Sequence, residues 1–79
     1  MKVISAREQE VKAYSKRLSV EVEGKVYGVF LYWDEQDGYH TTWYDGSKCV
    51  EIPKAIENKA EEGEVSVGYL LEEMEAVSA

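Results

Sequence analysis

The sequence predicts an α+β fold: a four-stranded antiparallel meander with C-terminal helices packed on one face and a short N-terminal helix. Three observations carry this expectation. Leu18, Val20 and Val22 alternate with Ser19, Glu21 and Glu23, which is the period of a half-buried strand. Turn-forming pairs recur at Gly24-Lys25, Asp37-Gly38 and Asp45-Gly46, and they divide the middle of the chain into strand-length pieces. Beyond Pro53 the period becomes helical, with Val67, Leu70, Leu71, Met74 and Val77 at i, i+3, i+4, i+7 and i+10.

At the N-terminal end, Ser5 and Glu8 have capping-box spacing, so a short helix is expected from about Ala6 to Tyr14. Its apolar stripe, Val11 and Tyr14, is thin. Strands are expected near residues 16–23, 26–33, 39–45 and 48–52. A turn at Gly24-Lys25 pairs Val22 with Tyr27, Val20 with Val29 and Leu18 with Leu31. A loop ending at Asp37-Gly38 sets Trp33 opposite Tyr39, Leu31 beside Thr41 and Val29 beside Trp43. A turn at Asp45-Gly46 pairs Thr41 with Val50 and Tyr39 with Ile52. The three turns place one apolar set on one face, including Trp33 and Trp43, both expected to be buried there. Pro53 suits the first turn of a helix whose stripe is Ala55, Ile56 and Ala60, and Gly63 suits its C-terminal end. Ser66 is placed to cap the last helix.

At 79 residues the chain is expected to form a single domain spanning 1–79, one that buries about 60% of its unfolded surface. An apolar fraction of 44% with nine aromatic residues argues for a packed core over disorder. Cys49 is the sole cysteine, so no disulfide framework or cysteine-rich zinc site is expected, and a reducing compartment, the cytoplasm, is the expected location. Arg7, Glu8, Glu10 and Lys12 interrupt the first fourteen residues, which therefore do not read as a signal peptide.

The net charge of −7 is unevenly distributed. Residues 1–20 carry five cations against two acids, whereas residues 21–79 carry four lysines against fourteen acids. Direct binding of nucleic acid through the larger part of the chain is disfavoured, because phosphate contacts need clustered Lys and Arg. A basic protein partner is favoured, since opposite charge accelerates its capture. The acidic residues expected to face it are Asp34, Glu35, Asp37, Glu57, Glu61, Glu62 and Glu64, with Glu72, Glu73 and Glu75 beside them.

The sheet face opposite the core is the alternative contact surface. Its expected complement includes the large rings Phe30, Tyr32 and Tyr44, and exposed aromatic clusters often mark partner contacts or homodimer interfaces. Catalytic readings are weaker. His40, Cys49 and Glu51 are expected to be near one another on that face, which is nucleophile chemistry in principle. They sit mid-sheet with no loop to build a pocket, so no catalytic residue is assigned. Asp34, Glu35 and Asp37 lack the spacing of a calcium loop and read as a solvated hairpin tip, so no metal and no cofactor are assigned.

The run Leu31-Tyr-Trp-Asp-Glu-Gln-Asp-Gly-Tyr39, then Trp43, Asp45, Cys49 and Val50, then Ala55-Ile-Glu-Asn58, resembles the partial RNase-H-like domain of HicB antitoxins. The likeness covers Leu31 to Asn58. Where that family has a Pro-Asp-Leu-Pro-Gly step, this chain has Tyr44-Asp-Gly-Ser-Lys48. The resemblance implies a protein that neutralises a basic toxin RNase by binding it, and it transfers no catalytic residue. In length, acidity, lone cysteine and aromatic content the chain is also similar to small acidic phage proteins that block restriction or CRISPR complexes by acting as nucleic-acid mimics. Carboxylates on a rigid scaffold can replace phosphates, because arginine-rich sites bind either. The expected function is thus a non-enzymatic inhibitor of a basic, nucleic-acid-handling partner.

Overall fold

The computed structural model describes residues 2–8 and 15–78. Five strands form one antiparallel sheet in the order β1 (Lys2–Glu8), β2 (Ser15–Val22), β3 (Lys25–Asp34), β4 (Gly38–Asp45) and β5 (Lys48–Val50). Two helices follow, α1 (Lys54–Glu62) and α2 (Val67–Ser78). The sheet therefore has one strand more than the sequence predicts, and the helices are C-terminal.

The added strand replaces the start of the expected N-terminal helix. Ser5, Ala6 and Glu8 lie in β1, which pairs with β2; residues 9–14, including Val11 and Tyr14, lie outside the described set. Packing overrides the capping-box signal. A two-residue stripe buries too little to hold a helix, whereas as a strand this segment pairs the outer edge of β2 and places Val3 in the core, opposite Val20. A β-bulge at Ile4 shifts the register by one residue and leaves Ile4 exposed.

The other strands alternate as expected, but two registers move. The β2–β3 turn is centred on Glu23 and Gly24, both at positive φ, the sign pattern of a type I′ turn. Val22 consequently pairs with Lys25, Val20 with Tyr27 and Leu18 with Val29. The β4–β5 turn is centred on Gly46 and Ser47, so Trp43 pairs with Val50 and Tyr44 with Cys49. Moving a turn by one residue slides each pairing by two. Because side chains repeat every two residues, every residue keeps its face. The β3–β4 register is the expected one, with Trp33 opposite Tyr39, Leu31 opposite Thr41 and Val29 opposite Trp43.

Leu18, Val20, Val22, Val29, Leu31 and Trp43 line the core face, and Ile56 of α1 and Leu71 of α2 close over them. The Trp43 indole N–H donates to Thr41 Oγ1 at 3.2 Å, so the buried ring leaves no unsatisfied donor. Trp33 shares this face but stays 38% exposed where Trp43 is 1% exposed. It sits in the last row before the hairpin, opposite Tyr39, where the covering helix begins.

Pro53 opens α1, its carbonyl accepting the Ile56 and Glu57 N–H groups. At the other end Gly63 keeps a right-handed φ of −89°, and Glu64 takes the left-handed position at φ +53°. The Val65 N–H reaches back to the Ala60 carbonyl and the Glu64 N–H to that of Glu61. These two bonds form a Schellman motif displaced one residue beyond the expected glycine. Ser66 caps α2 as expected, its Oγ accepting the Tyr69 N–H at 3.1 Å. Leu71 is fully buried, Val67, Leu70 and Met74 are half-buried, and the Val77 side chain lies outside the described set. Gly68 permits a close approach: a Cβ there would overlap the Tyr39 Cβ and crowd Leu31. Among the described residues no helix is long and apolar enough to cross a membrane.

Candidate protein-binding surface

The acidic residues expected to face a partner lie in three places on this scaffold. The β3–β4 hairpin carries Asp34, Glu35 and Asp37. Asp34 Oδ1 accepts the Gln36 N–H at 2.9 Å and the Asp37 N–H at 2.6 Å, which ties the turn to its own side chain. Those donors, Asp37 first, hold the Asp34 carboxyl below the ordinary carboxylate range against the opposing effect of burial. Their contribution to folding is present above the ordinary aspartate pKa and fades as the pH falls through the depressed one. Glu35 and Asp37 are exposed.

Glu57, Glu61, Glu62 and Glu64 are exposed along α1 and the connection that follows it. Glu57 stands apart, beside Thr41, Val50 and Ile52 at the β5 side of the sheet. In α2 only Glu73 of the three expected acids is exposed. Glu72 and Glu75 are half-buried against Lys16 of β2, whose Nζ lies 3.5 Å from Glu72 Oε1 and 2.9 Å from Glu75 Oε2. Their charge is largely answered within the fold. Lys16 sits on the core face opposite Leu31, a placement that strand alternation indicates and that charge composition alone does not.

This ion cluster fastens α2 to the sheet. Replacing Lys16 with methionine is expected to destabilise the protein by about 1–3 kcal/mol, less than a fully buried pair because both glutamates retain some solvent. Urea denaturation measures the loss. The triple variant Lys16→Met, Glu72→Gln, Glu75→Gln should recover part of it, because the neutral amides no longer need a cation.

Phe30, Tyr32 and Tyr44 share the face away from the helices. Phe30 and Tyr32 are stacked with centroids 6.5 Å apart, and Tyr32 lies 5.9 Å from the His40 ring. Tyr44 stands opposite Gly28, and with Phe30, Arg17 and Ser19 it borders a shallow depression of about 590 Å³ floored by that glycine. Phe30 and Tyr32 are half-buried and Tyr44 is exposed.

A second aromatic cluster lies on the helix side and contains Trp33, which strand alternation leads one to expect in the core. Trp33, 38% exposed, stands opposite Tyr39, and the Tyr39 ring meets Tyr69 of α2 edge-on at 6.5 Å. Tyr69 is 43% exposed. Its hydroxyl hydrogen-bonds the Glu73 carboxylate, which raises its pKa above the ordinary tyrosine value. The signal that would have exposed Trp33 is its adjacency to the hairpin acids, since the last row before a solvated tip has little to cover it.

The expected His40–Cys49–Glu51 grouping does not form. Cys49 pairs with Tyr44, four residues along the strand from His40, or about 13 Å at strand spacing. His40 instead faces Asp34, with Nε2 3.2 Å from Oδ2. Asp34, Asp37 and His40 each present a potential metal-ligand atom, all within 4.8 Å of one another. His40, and not Glu35, is the third member of this group. Asp37 and His40 are exposed, and one Asp34 oxygen is already occupied by backbone donors.

Comparison with protein-family profiles, curated proteins and solved structures finds no match to this chain.

Proposed function

We propose that this chain is a small acidic, non-enzymatic inhibitor that binds a basic, nucleic-acid-handling protein or complex in the manner of a nucleic-acid mimic. The observation that supports this reading is the charge imbalance. Beyond residue 20 fourteen acids face four lysines, and exposed carboxylates gather on the β3–β4 hairpin, on α1 and its following turn, and at Glu73. Such a surface attracts arginine-rich sites that otherwise hold phosphate. A partner of the phage-defence type fits this chemistry. The antitoxin alternative, neutralisation of a toxin RNase, differs from it in the identity of the basic partner. The uncovered face bearing the Phe30–Tyr32 stack favours a separate reading, a homo-oligomeric or structural module.

Affinity capture from the native host with mass spectrometry identifies the partner. Binding is then measured between about 0.1 M and 1 M salt, over which the screening length falls from about 10 Å to about 3 Å. Charge mimicry predicts that binding weakens across this range. The double reversals Glu35→Lys/Asp37→Lys and Glu61→Lys/Glu62→Lys should each cut association by about tenfold or more. Phe30→Ser and Tyr32→Ser should matter less, and Cys49→Ser should leave binding intact. Glu72 is omitted from the reversals because its contact with Lys16 would confound binding with folding. Salt-insensitive binding that is lost only with Phe30 and Tyr32 would overturn the mimic reading in favour of the aromatic interface.

A further inference from the structure

A cluster of rings stands where the β3–β4 hairpin meets the start of α2. Trp33 and Tyr69 are both large rings left more than a third exposed, and Tyr39 joins them. The Tyr69 ring is held edge-on against Tyr39, and Glu73 lies beside its hydroxyl. Two carboxylates are exposed near these rings on different elements, Glu35 two residues along the hairpin from Trp33 and Glu73 beside the Tyr69 hydroxyl in α2. The nearby cation Lys16 is held by Glu72 and Glu75. The cluster therefore combines exposed π faces with unneutralised negative charge.

We propose that the Trp33–Tyr39–Tyr69 cluster, bordered by Glu35 and Glu73, docks an arginine-bearing segment of the protein partner. The inference rests on the acidic-inhibitor reading and deepens it by naming the contact and the side chain it takes. Arginine is the matching occupant for two reasons. Its planar, weakly hydrated guanidinium stacks on aromatic faces, and its donor fork bonds a carboxylate in the same plane. Lysine offers a strongly hydrated point charge that gains less from the rings. The open sheet face with Phe30 and Tyr44 carries rings too, but Arg17 borders its depression and opposes a cationic ligand there.

The test uses fluorescein-labelled nona-arginine and nona-lysine, with an uncharged glycine-serine peptide as blank, read by anisotropy at about 0.15 M salt. Trp33 reports the location of binding, because Trp43 is buried and shielded from added peptide. The expected result is nona-arginine binding about three- to fivefold tighter than nona-lysine, with a change in exposed tryptophan emission. That preference should vanish in Trp33→Leu and in Tyr69→Leu, which keep apolar bulk while removing the π face. It should persist in Tyr44→Ser. Equal binding of the two peptides, sensitive to Glu35→Gln and Asp37→Asn but not to Trp33→Leu or Tyr69→Leu, would overturn the ring proposal and leave the acidic reading standing. An arginine preference lost in Tyr44→Ser and kept in Trp33→Leu and Tyr69→Leu would overturn the location. Binding of neither peptide above the blank would overturn the proposal and the acidic reading together.

Discussion

Gly68→Ala is expected to destabilise the protein by about 3 kcal/mol, lowering the thermal midpoint by roughly 10–20 °C. Two effects of opposite sign compete at this position. Alanine is the better helix former by about 1 kcal/mol, so an exposed glycine in α2 would gain from the change. Here the new methyl would overlap the Tyr39 Cβ, an atom fixed by the β4 backbone that no rotamer change can move, and it would crowd a Leu31 methyl as well. Relief requires lifting α2 off the sheet, which exposes Leu71 and strains the Lys16 contacts. The clash therefore wins. Gly63→Ala is the matched control. Gly63 has right-handed φ, and its added Cβ would meet only ordinary contacts, the nearest being Val65 Cγ2 at 3.5 Å. That change should be neutral or stabilise by up to about 1 kcal/mol. Thermal melts followed by circular dichroism separate the two. A Gly68→Ala protein as stable as the parent would mean that α2 does not sit against Tyr39.

Trp43→Ala should cost about 3–5 kcal/mol. Trp43 heads the fully buried large side chains of the core, packs edge-on against Tyr27 at 5.9 Å and is satisfied by Thr41. Its removal leaves a cavity between the sheet and the helices that no neighbour can fill. A chain of this length has roughly 4–12 kcal/mol of total stability, so the variant is expected to be partly unfolded at room temperature. Trp33→Ala should cost less, about 1–2 kcal/mol, because more than a third of that residue already stands in water and its loss leaves no enclosed cavity. Urea denaturation of both variants checks the contrast. Equal losses would contradict the separate environments of the two indoles, which lie on one face of one hairpin.

Those two tryptophans also show how far the sequence can be read. Alternation assigned both to the same face, and the register of β3 with β4 agrees. Which of the two is buried depends on where the covering helix begins, and that is set by the approach of Gly68 to Tyr39. Local pattern carries no information about this. The same division holds for the acids. Glu72, Glu73 and Glu75 are three similar letters on one helix, yet two of them turn to a lysine more than fifty residues away in the chain and one turns to solvent.

By itself the sequence determined which side chains of the four middle strands share a face, the α+β class, the two C-terminal helices and the Ser66 cap. These depend on side-chain period and on local bonds, which neighbouring residues establish among themselves. Tertiary structure decided the rest. It made the N-terminal segment a strand, because the open edge of β2 and a place for Val3 outweighed a weak cap and a thin stripe. It slid two hairpins by two residues, a change invisible to a period of two, and so separated Cys49 from His40. It gathered Trp33, Tyr39 and Tyr69 beside exposed carboxylates, since a helix crossing a sheet brings together residues that no local spacing relates.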